Sequence, residues 1–271
     1  MPAPRVSVAM AALALMVGAG VAGAQASARA AAATGAGAMI AVPGGRYTPL
    51  YARSGAQDVA VPAFRLDPHA VTRGEFLAFV RAHPEWRRDS VRGVYAGPGY
   101  LADWPAPLDA GTDLTRPATQ VSWFAARAYC AARGARLPSV DEWEYAAAAS
   151  ETVRDATHDS AFVARVIGLN GAGTKERTRA GRGFRNIYGI AGLHGGPWEW
   201  TEDFNDVLVS ADSREAGGTT RHTDFRAVCA AGAIGATDPA NWAAFQRYAF
   251  RASLDARSAL SILGFRCAAN A

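Results

Sequence analysis

The chain has 271 residues, 50% of them apolar, 10% aromatic and 19% charged, and a formal net charge of +4. That length suits one large domain or two small ones, and the apolar fraction excludes wholesale disorder. Only Lys175 among the 28 basic residues is a lysine, and the arginines are scattered, so no stripe for nucleic acid is present.

Residues 1–24 read as a secretory signal. Arg5 gives a positive start, residues 6–21 are almost entirely Ala, Val, Leu, Met and Gly, and Ala22-Gly23-Ala24 offers cleavage before Gln25. Ala26-Ser27-Ala28 is a second small-residue site. The apolar run is short and rich in Ala and Gly, which favours removal over a retained anchor. Residues 25–38 form a flexible Ala/Gly/Ser-rich lead-in. A periplasmic or secreted location is expected, in an oxidising compartment where disulfides persist, with no membrane contact after cleavage.

Residues 39–271 read as one domain. Met39 to Val42 form a strand running into the turn Pro43-Gly44-Gly45, and Val59 to Leu66 alternate as a second strand. Thr72 caps a helix to about Ala82, with Glu75 at the capping-box position, and His83-Pro84 ends it. Residues 84–120 have no sustained period. Ser122 caps a helix from Trp123 to Arg133, closed by Gly134, and Ser139 with Glu142 opens another through Trp143 and Tyr145. Residues 151–185 read as a long polar surface loop. Short strands are expected at Tyr188 to Leu193, Trp198 to Trp200, Ala227 to Cys229, Tyr248 to Ser253 and Gly264 to Ala268. The pattern is α+β.

Several motifs in order carry a resemblance. They are Pro43-Gly44-Gly45, Val71-Thr72 with Glu75-Phe76, and Gln120-Val121-Ser122-Trp123 followed by Tyr129-Cys130. Arg136-Leu137-Pro138-Ser139, Glu142-Trp143-Glu144-Tyr145-Ala146, Trp198-Glu199-Trp200 and Gly264-Phe265-Arg266-Cys267-Ala268 complete the set. Together they resemble the formylglycine-generating-enzyme, or sulfatase-modifying-factor, family over residues 40–269. The resemblance implies a single C-type-lectin-like domain elaborated with long loops. Glu142, Glu144 and Arg136 also have a plainer reading, as buried partners that order the central loops.

The cysteines are Cys130, Cys229 and Cys267. By resemblance, Cys130 and Cys267 match a structural disulfide of the family. A second family disulfide is replaced by Ala147 and Tyr248. Active members hold Cu(I) between two closely spaced thiolates, a soft-ligand site. Here the corresponding stretch from Cys229 to Trp242 has one cysteine, so two-thiolate copper is not expected. Cys229 keeps three readings: a buried inert thiol, a reactive or metal-binding one, or half of an intermolecular disulfide. Members that lack both cysteines, periplasmic proteins that mature the pyoverdine chromophore, make Asp238 and Arg251 candidates. Arg247 and Arg251 share a face of an extended strand and suit an anionic or peptide substrate, or else pair with nearby carboxylates.

The resemblance also implies calcium at two places: one at Glu199, where Gly196 removes one oxygen of the family pattern and backbone carbonyls can compensate, and a second in the 170–190 loop, with Asn170 and Asn186 as candidates. His194, Glu199, Glu202, Asp203 and Asp206 form an acidic stretch around a histidine. The functional expectation is an exported protein that binds, and oxidatively modifies, a peptide or small molecule. The alternative is a non-catalytic, lectin-like binding or assembly module for a periplasmic protein partner.

Overall fold

A computed structural model describes residues 38–49, 58–171, 183–205 and 239–271. The signal segment, nearly all of the lead-in, the strand expected at Ala227 to Cys229, and both Cys229 and Asp238 lie outside the described residues. The architecture mixes short strands and helices, as the sequence pattern predicts. Strands β1 (Ile40–Val42) and β2 (Gly45–Tyr47) are followed by β3 (Val59–Val61) and β4 (Phe64–Leu66). The expected single strand from Val59 to Leu66 is therefore two. Pro62 has no N–H to give a ladder, and the chain changes sheet there. β3 pairs with β2 on one side of the corner, while β4 pairs with β1 on the other. Gly44 packs against this corner: a Cβ on it would sit 2.8 Å from both Ala63 N and Val61 O, so only glycine fits.

Helix α1 (Arg73–Ala82) has the predicted capping box, Thr72 accepting from Glu75 N while the Glu75 side chain accepts from Thr72 N. It buries Phe76, Phe79 and Val80. Residues 84–120 hold one 3-10 turn, Pro84–Trp86, and are otherwise irregular. Helix α2 (Trp123–Ala132) starts at the Ser122 cap, and α3 (Val140–Ala147) at a second capping box of Ser139 and Glu142.

Helix α4 (Ser160–Asn170) corrects the expectation of a long loop over residues 151–185. Asp159 caps it by accepting from Ala161 N and Phe162 N, and Phe162, Val163 and Val166 form its buried stripe. Helix α5 (Pro239–Ala252) corrects a second expectation, the strand at Tyr248 to Ser253. Its sequence holds no β-branched residue and is rich in alanine, which favours helix. Tyr188 to Leu193 form no strand; the segment is made of turns and one bridge, Arg185 to Ala191. Short strands β5 (Trp198–Glu199) and β6 (Leu263–Gly264) pair in parallel, and β7 (Ala268–Asn270) joins β4.

The sheet order β1-β4-β7 places the first and last strands of the domain in one sheet, on either side of β4. Cys130 on α2 and Cys267 just before β7 are bonded, the pairing the resemblance implies, across 137 residues of sequence. Asp67 supports the junction, with Arg133 donating to both its oxygens and Cys267 N to one of them. The largest core cluster packs Phe76, Tyr129 and Phe265 together, Phe265 edge-to-face on the other two, at centroid distances of 5.3–5.9 Å. Each such ring, fully buried, contributes roughly 1.5–3 kcal/mol. No helix among the described residues is long and apolar enough to cross a membrane.

Candidate functional site

Helix α3 is the hub on which the candidate residues converge. The aromatic-Glu-aromatic run puts Trp143 and Glu144 side by side, and both are buried. The helix then presents consecutive groups to three other segments.

Glu144 receives two arginines from α5. Arg247 Nε donates to both Glu144 oxygens at 3.0 Å, and Arg247 Nη2 donates to Oε2 at 2.6 Å. Arg251 Nη1 donates to Oε1 at 2.7 Å. Residues four apart share a face on a helix as they do on a strand, so the predicted pairing of Arg247 with Arg251 survives the change of element. Burial works to raise the Glu144 carboxyl; Arg247 and then Arg251 more than offset this and hold it at about 2. Both guanidinium groups also lie over the Trp143 ring, at 5.6 and 4.7 Å from its centroid. This is the plainer reading of the two arginines, carried out by Glu144.

Beyond Trp143 is a second buried pair. Arg266 donates from Nε to Glu199 Oε2 and from Nη2 to Oε1, at 2.7 and 2.8 Å, and both side chains are fully buried. Trp143 Nε1 also donates to Glu199 Oε2 at 2.7 Å. Asn186 closes a turn: its Oδ1 accepts from Tyr188 N and Ile190 N, and its Nδ2 donates to Ala146 O on α3. Asn170 ends α4 and is half-buried. The oxygens of Glu199 and Asn186 thus already serve protein donors, and a carboxylate held by a guanidinium does not fit a calcium ligand. No group of three or more His, Cys, Asp or Glu side chains among the described residues is placed to hold a metal ion.

The acidic stretch does not gather around His194. Asp203 accepts from Val140 N at the start of α3, and Glu202 pairs with Arg127. His194 points elsewhere, with its Nε2 2.7 Å from Ala147 O and its ring packed among Phe162, Phe184 and Trp143. Burial, and then the charge of Arg247, hold its pKa down at about 4, so the ring is neutral near pH 7. Nε2 is then the protonated nitrogen, and Nδ1 has no hydrogen-bond partner among the described residues.

His194, Glu144 and Arg247 line a cavity of about 70 Å³. Tyr47 and Tyr248 line it too, and Phe162, Val163 and Val166 of α4 form an apolar wall. Ala147 and Tyr248, the positions of the missing second disulfide, face this same space. Sequence reasoning did not place α4, and so missed the cavity beneath it. The signal was present in Asp159 as a cap and in the spacing of Phe162 and Val166. Of the predicted site residues, α3 brings together Arg251, Glu199 and Asn186.

Comparison with known proteins identifies the family. The family model for the sulfatase-modifying factor enzyme 1-like domain matches residues 24–271. An inactive C-alpha-formylglycine-generating enzyme 2 of Mus musculus is 29% identical, covering 86% of each chain. A formylglycine-generating enzyme of Streptomyces coelicolor is 26% identical over 86% of this chain and 89% of its own. Among solved structures, PvdO from Pseudomonas aeruginosa aligns over 86% of this chain and 94% of its own, at 19% identity and a TM-score of 0.47. The chain belongs to the sulfatase-modifying factor enzyme 1-like domain family.

Proposed function

We propose that this chain is an exported formylglycine-generating-enzyme-like protein. It binds a peptide or small molecule in the periplasm and oxidises it with dioxygen as electron acceptor, without a two-thiolate copper site. One observation carries the mechanistic part. Of three cysteines, Cys130 and Cys267 are bonded to each other, so Cys229 is the remaining thiol. One thiol in a chain does not make the bis-thiolate that Cu(I) needs there. Cys229, Asp238 and Arg251 are the groups proposed to act on the ligand. No step runs through calcium, because the oxygens of Glu199 and Asn186 are taken. The same proposal takes the topology as C-type-lectin-like, supported by first and last strands that share one sheet.

A second reading, a non-catalytic binding or assembly module, is favoured by one feature: Arg247 and Arg251 both pair with the buried Glu144, as framework residues do. Oxygen uptake separates the two. The purified chain is incubated with thiol peptides and catechol-like compounds, with and without added copper. Copper-independent uptake with product formation supports the oxidase, and saturable binding with no uptake supports the module.

A further inference from the structure

Two positive guanidinium groups face one carboxylate at the Glu144 cluster, and all three side chains are at most 9% exposed. A surplus buried cation is costly unless something neutralises it. The neighbouring pair of Glu199 and Arg266 is balanced, and Asp141, a further carboxylate beside the cavity among the described residues, is half-buried and accepts from Tyr47 rather than from either arginine. His194 is neutral, and burial keeps the Tyr47 and Tyr248 hydroxyls protonated.

This cluster adjoins open space. Arg247 has five N–H groups; Nε and one hydrogen on Nη2 serve Glu144, and one on Nη1 serves Ala243 O at 3.0 Å. One hydrogen on each terminal nitrogen therefore has no partner among the described residues, and Arg247 lines the cavity. The cavity reaches solvent past Thr48, which is exposed, and past Thr157 and Ala244, which are half-buried. Its volume of about 70 Å³ is several waters' worth of space, but about half that of an engineered cavity known to take benzene. That admits a carboxylate-sized group and excludes a sugar ring.

We infer that this cavity binds the carboxylate end of a small ligand, anchored by Arg247 and walled by α4. The inference rests on the ligand-binding part of the proposed function and names the chemistry it recognises. Tyr47 donates to Asp141, Thr48 to Asp58 and Thr157 to Asp155, and Asp58 and Asp155 are exposed. The rim thus suits a ligand whose far end is neutral or positive.

Calorimetric titration of the purified chain with acetate, and with acetamide as an uncharged isostere, tests this at constant ionic strength. Acetate is expected to bind saturably and at least about tenfold more tightly than acetamide, since the guanidinium makes charge-assisted bonds only to the acid. Ala244→Leu narrows the mouth and leaves the Glu144 cluster untouched, and is expected to cut acetate binding at least about tenfold with the circular dichroism unchanged. Absence of saturable acetate binding, or binding that Ala244→Leu does not alter, overturns the inference. Equal binding of acetamide also overturns it, yet leaves the broader ligand-binding proposal standing.

Discussion

The two buried arginine–carboxylate clusters on either side of Trp143 are built from the same groups and do different work. Glu199 meets one arginine in a closed, neutral, fully buried pair that ties β5 to the segment before β7. Glu144 meets two arginines from one helix and borders a cavity. Stoichiometry, not residue type, separates the framework pair from the candidate site. The closed pair has no spare charge or space, and the open cluster has both.

Breaking the closed pair has the largest expected effect. Arg266→Met leaves Glu199 buried without a counter-charge and is expected to cost about 3–5 kcal/mol, read by urea unfolding. Acidification probes the open cluster next. His194 stays neutral in the folded chain down to about 4, whereas an ordinary histidine takes up its proton near 6.5. Protons in that window favour the unfolded chain, so stability is expected to fall by on the order of 3 kcal/mol from pH 6.5 to 4. His194→Gln is expected to flatten this slope. Glu144, held at about 2 against an ordinary value of 4.5, adds its loss only below 4.5. Arg251→Met sharpens the comparison, because Glu144 keeps Arg247; a cost of only about 1 kcal/mol is expected. A cost equal to that of Arg266→Met would mean the two clusters are equivalent. A control outside both clusters is expected to match Arg251→Met in size: Thr72→Ala costs about 1 kcal/mol through the lost α1 cap.

Much of this comparison was legible in the sequence. Thr72, Ser122 and Ser139 mark helix starts because their side-chain oxygens satisfy backbone N–H groups locally, and that chemistry needs no tertiary contact. Glu144 and Glu142 were readable as buried partners; Arg136, read with them, pairs with Glu142 at 2.6 Å but stays half-buried. The elements misread are those in which local pattern and neighbourhood disagree. The helix at Ser160–Asn170 sits in a polar, glycine-rich stretch that dilutes its apolar stripe. Tyr248 and Phe250 alternate as in a strand, while alanine and the absence of β-branched residues hold the segment helical. The two-to-one stoichiometry at Glu144 was not legible at all, because it depends on which carboxylate the α5 arginines reach after folding. The same holds for the apolar burial of His194, which its acidic neighbours in sequence conceal.

The central claim is that the chain keeps its family's cross-linked frame while lacking a thiol pair. Counting free thiols in the denatured, unreduced protein tests it most directly. The account predicts one reactive thiol per chain, from Cys229, rising to three after reduction. Three thiols before reduction, obtained from protein isolated in its oxidising compartment, would contradict it.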